Sequence, residues 1–334
     1  MFNLSRENTG AIAKWWRNVD KQILFLFMFL FFLGLFFSFS STSSIVGEKM
    51  NKETYFFFLK HFIFVFISLF LLFLISIQRK EKLIKILPFI FIISILLLML
   101  VPLIGVEVKG SKRWIDLIFL PRFQPIELVK PLFVLFIAKI IILNNKMNIY
   151  NRYFFSFIIL FFIVALLINQ PDLGQTLLLI ASWITMIFVS GFNIFILTIL
   201  SFIAISAFVL LIYFFPSKFG YVILRIRTFL NPSTGDNFQS QKALDAIKEG
   251  GLTGQGMGEG ILKDKVPEAH TDYIVAVISE EFGAIFVLFI VIIFLFIGYK
   301  ILNKVFSEKD EFLKLALVGL VSLLIIQTFI HIGV

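Results

Sequence analysis

Nine long apolar runs constrain this chain more than any other feature. Each is bounded by charged residues or by Gly, Pro or Asn, and they lie near residues 22–40, 55–77, 86–106, 125–143, 153–168, 173–191, 193–215, 273–298 and 311–334. An α-helix of about 20 apolar residues crosses the hydrocarbon core of a bilayer and satisfies its own backbone hydrogen bonds there. Only 15% of the 334 residues are charged, against about 25% in soluble domains. The sequence therefore predicts an all-α polytopic membrane protein with nine spans.

The distribution of Lys and Arg predicts how the spans are oriented. Alternate connections, starting with the N-terminal segment, are richer in these cations than the opposite short loops, and cation-rich connections face the cytoplasm. We therefore expect a cytoplasmic N-terminal segment (1–21), spans 1–7 (22–215), a long extracytoplasmic loop (216–272) and spans 8–9 (273–334). One outer loop, residues 107–122, departs from the rule because it holds Lys109, Lys112, Arg113 and Arg122.

Two features of the composition narrow the kinds of site. The chain has no Cys, which excludes disulfides, thiolate metal sites and cysteine nucleophiles. The glycine run GGLTGQGMGEG at 250–260 lacks the spacing of a phosphate-binding loop, so it predicts a mobile or tightly folded loop instead. Just before it, residues 240–247 (SQKALDAI) predict a short surface helix.

Ionisable residues near the predicted spans are the candidates for function, because a charge at the centre of a spanning helix costs about 2.5–3.5 kcal/mol on insertion scales. Glu127 and Lys130 share one face of the fourth span, as a structural ion pair or as functional groups. Asp172 either caps the sixth span or has a functional role. Glu280 and Glu281 lie two turns into the eighth span.

The segment PEAHTD at 267–272 lies where the long outer loop re-enters the membrane. A carboxylate at such a boundary is partly desolvated and is suited to act as a general base. Thr271 or Asp272 would also serve as the N-cap of the eighth helix. The residue types alone leave both interpretations open.

Four stretches of the chain resemble the signatures of the SEDS family (shape, elongation, division and sporulation), polytopic bacterial proteins that build peptidoglycan. They are GSKRWIDLIFLPRFQPIELVKP at 110–131, NQPDLGQTLLL at 169–179, QSQKALDAIKEGGLTGQGMGEG at 239–260 and KVPEAHTDYIVAVISEEFG at 265–283. The Ala269 form of the last stretch is more similar to the division and sporulation members, FtsW and SpoVE, than to the elongation member RodA.

The resemblance implies an inverting glycosyltransferase that polymerises lipid II, a disaccharide-pentapeptide on undecaprenyl pyrophosphate. By motif match, Asp272 corresponds to the essential aspartate of the family and is the expected general base on the acceptor hydroxyl. Developing negative charge on the leaving pyrophosphate calls for cations. The substrate-binding residues that the resemblance implies are Lys112, Arg113, Glu127, Lys130, Asp172, Glu268 and His270.

The resemblance also implies partners and a location. We expect lipid II, a class B penicillin-binding protein and other division proteins as partners, in the bacterial cytoplasmic (inner) membrane and at the septum, and no nucleic acid. No resident cofactor or protein metal site is expected, although a Mg²⁺ or Mn²⁺ ion that assists the pyrophosphate is left open.

Two alternatives stay open beside the transferase. The family has also been considered as a lipid II flippase, and a non-catalytic scaffold for the penicillin-binding protein is compatible with the same motifs. The chain departs from the family pattern in one respect that bears on the transferase, flippase and scaffold functions alike. The family has ten spans, whereas this chain ends at HIGV in the ninth. We therefore expect a C-terminally truncated chain that lacks the tenth span.

Overall fold

The computed structural model describes residues 10–41, 56–108, 111–117, 120–144, 147–216, 219–220, 222–224, 238–262, 266 and 273–333. The chain divides into two compact units, which are described separately. Unit 1 comprises Met1–Gln78, Ala204–Ile297 and His331–Val334, and unit 2 comprises Arg79–Ile203 and Gly298–Ile330.

The described residues are mainly helical. In chain order the helices are α1 (Ala11–Asn18), α2 (Lys21–Ser41), α3 (Phe56–Ile77), α4 (Lys80–Ile104), α5 (Pro125–Ala138), α6 (Ile149–Asn169), α7 (Leu173–Val189), α8 (Ile194–Phe214), α9 (Phe238–Gly250), α10 (Ile274–Ser307) and α11 (Glu311–Gly333). Helix α5 continues as a π-helical turn, Lys139–Leu143, and three short strands precede it.

Each of the nine predicted apolar runs coincides with one of these helices, so the all-α polytopic class is confirmed. Seven helices of the described chain are long and apolar enough to cross a membrane: α2, α3, α4, α6, α8, α10 and α11. Helix α7, with 17 residues, is shorter, and α5 reaches 19 residues only together with its π turn. The count of nine spans therefore stays a prediction.

Unit 2 is built around α5, which packs against α4, α7 and α11. Its core consists of fully buried aliphatic and aromatic side chains, among them Val129, Phe133 and Ile137 on one face of α5. Gly319 of α11 lies so close to Val134 and Met186 that a Cβ there would collide with both side chains. Small residues at such a contact let helices in a membrane approach closely, where lipid gives no hydrophobic drive for their association.

A small antiparallel sheet forms in the connection between α4 and α5. Its strands are β1 (Val106–Val108), β2 (Ser111–Leu117) and β3 (Leu120–Phe123), in the order β1-β2-β3. Because side chains alternate between the faces of a strand, Arg113 and the buried Ile115 share one face of β2, and Lys112 lies on the other. The strand therefore separates two cations that are adjacent in sequence.

Unit 1 brings the first helices together with α10. Trp15 of α1 donates a hydrogen bond to Ser76 of α3, and Phe37 of α2 packs edge-to-face on Phe282 of α10 with ring centroids 5.4 Å apart. Helix α9 confirms the predicted surface helix, and its Ala243 and Ala246 are buried. Helix α10 is interrupted at Gly283, whose φ of 83° is left-handed.

Candidate functional site

Unit 2 holds a buried polar network at the ends of β2, α5 and α7. At one end of it, the Arg113 guanidinium lies 3.8 Å from the Asp172 carboxylate (Nε to Oδ2). The same guanidinium donates hydrogen bonds to the carbonyl of Gln170, at 3.2 Å, and to that of Pro171. Strand β2 can place Arg113 here because this side chain shares the inward face with Ile115.

Asp172 is the N-cap of α7, as one of the two sequence interpretations expected. Its Oδ1 accepts a hydrogen bond from the backbone N–H of Gln175 at 3.4 Å, and its Oδ2 accepts one from Gln124 Nε2 at 3.0 Å. The residue is only 6% exposed. A carboxylate at a helix N-terminus is stabilised by the helix dipole and by otherwise unpaired amides. The cap and the contact with Arg113 are compatible, so Asp172 has both.

At the other end of the network, Glu127 and Lys130 form the ion pair that their spacing predicted. Lys130 Nζ lies 2.7 Å from Glu127 Oε2 and donates a hydrogen bond of 3.1 Å to Gln327 Oε1 on α11. The two partners differ sharply in burial, because the Lys130 side chain is 3% exposed and that of Glu127 is 46% exposed. The ammonium has therefore left water, whereas the carboxylate reaches the surface of the unit.

Gln175 joins the two ends. Its backbone N–H contacts Asp172, and its side-chain Nε2 donates to Glu127 Oε1 at 3.0 Å. Its Oε1 is buried and accepts no hydrogen bond from the described residues. A buried amide oxygen without a donor is unfavourable, and a bound hydroxyl or N–H group would relieve this. Gln175 therefore contacts both carboxylates of the network and keeps one acceptor unused by the described residues.

Sequence reasoning identified the charges of the network but missed its amides, which are Gln124, Gln170, Gln175 and Gln327. Gln124, Gln175 and Gln327 take part through their side-chain amides. Gln170, only 2% exposed, takes part through its backbone carbonyl, and its side chain donates to the carbonyl of Leu98 at 3.3 Å. Three of these glutamines could have been found from the sequence, because each lies within three positions of a predicted site residue. Gln327 could not be found in that way because it comes from a distant helix.

The remaining predicted residues lie elsewhere. Lys112 is exposed on the outer face of β2 and pairs across the strands with Glu107, so the structure separates it from Arg113. Glu268, His270 and Asp272 fall outside the described residues. Their predicted roles stay predictions.

Glu280 and Glu281, the acids of the eighth predicted span, lie in unit 1 and are 0% and 2% exposed. Glu280 Oε1 accepts a hydrogen bond from the backbone N–H of Leu262 at 2.7 Å, and Glu281 Oε1 accepts one from Gly258 at 3.2 Å. Glu281 also accepts a hydrogen bond from Ser40 of α2. Both acids therefore hold the preceding loop against α10.

The fold and the buried network of charges and amides define a polytopic helical membrane protein with a polar site in unit 2. The sequence pattern of the cell cycle proteins FtsW, RodA and SpoVE matches residues 20–334. The chain belongs to this family.

Named relatives agree with that assignment, and solved structures share the fold. A probable peptidoglycan glycosyltransferase FtsW from Caulobacter vibrioides is 29% identical over 99% of this chain and 83% of its own length. One from Haemophilus influenzae is 34% identical over 73% of this chain and 63% of its own length. RodA of Thermus thermophilus has a TM-score of 0.66 at 21% identity, over 95% of this chain and 85% of its own. A chain from a peptidoglycan synthase complex has a TM-score of 0.72 at 21% identity, over 95% and 87%.

Proposed function

We propose that this protein is a peptidoglycan glycosyltransferase that polymerises lipid II on the outer face of the cytoplasmic membrane. The observation that carries the proposal is the family match over residues 20–334, together with relatives named as probable peptidoglycan glycosyltransferases at up to 34% identity. The description of the family as cell cycle proteins also supports a role in cell division.

In the proposed reaction, the 4-hydroxyl of the acceptor sugar attacks the anomeric carbon of the donor. The new glycosidic C–O bond forms as the bond from that carbon to the pyrophosphate breaks, and undecaprenyl pyrophosphate leaves. Asp272 takes the hydroxyl proton as general base. A displacement of this kind inverts the anomeric centre, so an α-linked donor gives a β-linked strand.

Arg113 and Lys130 are the cations that we propose for the pyrophosphate, with Arg113 offering a bidentate donor. In the described structure, each has a carboxylate partner, Asp172 and Glu127 respectively. A phosphate must therefore share each cation with its carboxylate, which holds the cation in position. Lys112, Glu268 and His270 complete the proposed substrate-binding set.

A divalent metal would find two carboxylates in the network, those of Glu127 and Asp172. Both carboxylates already accept hydrogen bonds or ion pairs from protein donors, namely Lys130 and Gln175 for Glu127, and Gln124 and Gln175 for Asp172. Among the described residues, there is no group of three metal-ligating side chains. No step of the proposal passes through Mg²⁺ or Mn²⁺.

We propose a class B penicillin-binding protein as the partner and the division septum as the site of action. The similar chain of known structure comes from a complex that coordinates polymerization and crosslinking. An enzyme that makes glycan strands needs a transpeptidase to link them.

The decisive experiment measures lipid II polymerisation in proteoliposomes that contain the protein and its cognate penicillin-binding protein. We expect Asp272→Ala to abolish the glycan product. Asp245→Ala is the matched control, because Asp245 is an exposed acid of α9 in the same connection, with Lys242 at 3.4 Å as its ion-pair partner. It should leave the rate unchanged.

Normal polymerisation by the Asp272→Ala protein would refute the proposed base. Two other outcomes would favour the alternatives. Movement of labelled lipid II across the bilayer without polymerisation, and independent of Asp272, would indicate a flippase. Retained binding of the penicillin-binding protein, with neither activity in the unmodified chain, would indicate a scaffold.

A further inference from the structure

The glycine loop, residues 251–262, is fastened to the broken part of α10 by backbone hydrogen bonds in both directions. The N–H groups of Gln255 and Gly256 donate to the carbonyls of Glu280 and Glu281 at 2.9 and 3.0 Å. In return, the amide of Ala284 donates to the carbonyl of Gly251 at 3.0 Å, and that of Ile285 to Leu252 at 3.3 Å. The break at Gly283 frees these groups of α10 from their usual helical partners.

The two buried acids accept hydrogen bonds from two more amides of the loop backbone. Glu280 and Glu281 accept from the amides of Leu262 and Gly258, as described above. Gly254 donates to the carbonyl of Gly250, the last residue of α9, at 2.8 Å, and within the loop Glu259 donates to the carbonyl of Gly256 at 3.2 Å. Irregular backbone is tolerated at membrane depth only when its polar groups find protein partners. Seven amides of this loop have such partners among the described residues.

The depth of the attachment follows from the charges of α10. Residues 282–299 carry no charged side chain and lie between Glu281 and Lys300. At about 1.5 Å per residue they span about 27 Å, close to the thickness of the hydrocarbon core, about 30 Å. Glu281 therefore marks one boundary of that core, opposite Lys300. The loop is bonded to α10 on both sides of this boundary.

Three large apolar side chains of the loop are exposed. Leu252 is 70% exposed, Met257 62% and Ile261 70%. Three large apolar side chains on one short loop are unfavourable in water, because each loses its burial free energy. Glu259, between them in sequence, is exposed as well, so the loop belongs at the head-group level rather than deep among the acyl chains.

We propose that the glycine loop is an interfacial element that inserts Leu252, Met257 and Ile261 into the outer lipid leaflet. The loop would contact the surrounding bilayer directly, with acyl chains around the three side chains and head groups around Glu259. The loop would thus anchor the connection before α10 to the membrane surface. The inference does not depend on glycosyl transfer, only on α10 crossing a bilayer with its Glu281 end on the outer side.

The absence of Cys from the sequence makes a direct test possible. Leu252→Cys, Met257→Cys and Ile261→Cys would each be labelled with an environment-sensitive fluorophore in the full chain, reconstituted in vesicles without a partner protein. Glu249→Cys, at an exposed polar position of α9 just before the loop, is the control. Helical content and monodispersity of each labelled protein verify its folding.

We expect the three loop labels to be quenched by lipids that carry a spin label near the head group and to be protected several-fold from aqueous iodide. The Glu249→Cys label should show the reverse. Iodide quenching of all three loop labels at the level of the control would overturn the proposal. Protection that appears only after the penicillin-binding protein is added would also overturn it, and would assign the loop to a protein interface instead.

Discussion

Glu127 and Lys130 form one ion pair, but their unequal burial predicts unequal effects of removing each partner. Replacing Glu127 by Gln leaves the ammonium of Lys130, only 3% exposed, with neutral acceptors alone. Removing one partner of a fully buried pair costs about 3–5 kcal/mol. Because Glu127 is 46% exposed, water can partly solvate the site after the change. We therefore expect Glu127→Gln to lower the free energy of unfolding by about 2 kcal/mol.

The reciprocal change is expected to be milder. Lys130→Met removes the buried charge and keeps an unbranched apolar stem in its place, while water and Gln175 can solvate Glu127. We expect a loss of about 1 kcal/mol or less, the usual range for an exposed pair. The double variant should resemble Lys130→Met, because the amide introduced in place of Glu127 then faces no buried charge.

The measurement is the free energy of unfolding in mixed micelles titrated with a denaturing detergent, followed by tryptophan fluorescence. In the polymerisation assay, Lys130→Met should lose most of its activity despite being the more stable single variant, because it removes a proposed phosphate ligand. A Lys130→Met protein that is less stable than Glu127→Gln would refute the argument from burial. Full activity of Lys130→Met would refute the phosphate role.

Two further predictions concern the glycine loop and the connection before α11. Gly254→Ala should destabilise the protein by more than Gly258→Ala, although both glycines have φ above 80°. A Cβ at 254 would collide with the carbonyl of Glu281, whereas one at 258 meets open space. The backbone strain that both variants share should cost about 1 kcal/mol, and equal losses of stability in thermal unfolding would contradict the prediction. The Lys80 ammonium, and then the amide of Leu313, lower the pKa of Asp310. The ionised Asp310 therefore contributes to the stability of the fold above its unfolded pKa of about 3.9, and this contribution is lost as pH falls through the folded pKa. Asp310→Asn should therefore flatten the acid limb of the stability–pH curve, and an unchanged limb would exclude this pair as its cause.

Much of the helical architecture could be predicted because a bilayer leaves a chain few choices. Every predicted apolar run coincides with a helix, since a spanning segment must satisfy its backbone within itself. The i, i+3 spacing of Glu127 and Lys130 and the position of Asp172 before an apolar run were likewise local features. Each predicted a contact within one helix or at its end.

The three strands could not be predicted in the same way. The 107–122 loop has no sustained alternation of apolar and polar residues, and its pairing depends on turns too short to recognise from composition. As a result, the sequence predicted that Lys112 and Arg113 bind phosphate together. The register of β2 places them on opposite faces, and only Arg113 reaches Asp172.

The sequence by itself determined the class of this protein, its apolar helices and the motifs that resemble those of the SEDS family. These features are local or repeat along the chain. The tertiary structure decided which of those charges meet. Gln327 reaches Lys130 from a helix 197 positions away, and the glycine loop finds its partners only where α10 breaks at Gly283. Contacts between distant segments depend on helix packing and on the pairing of freed backbone groups, which no pattern within a single segment records.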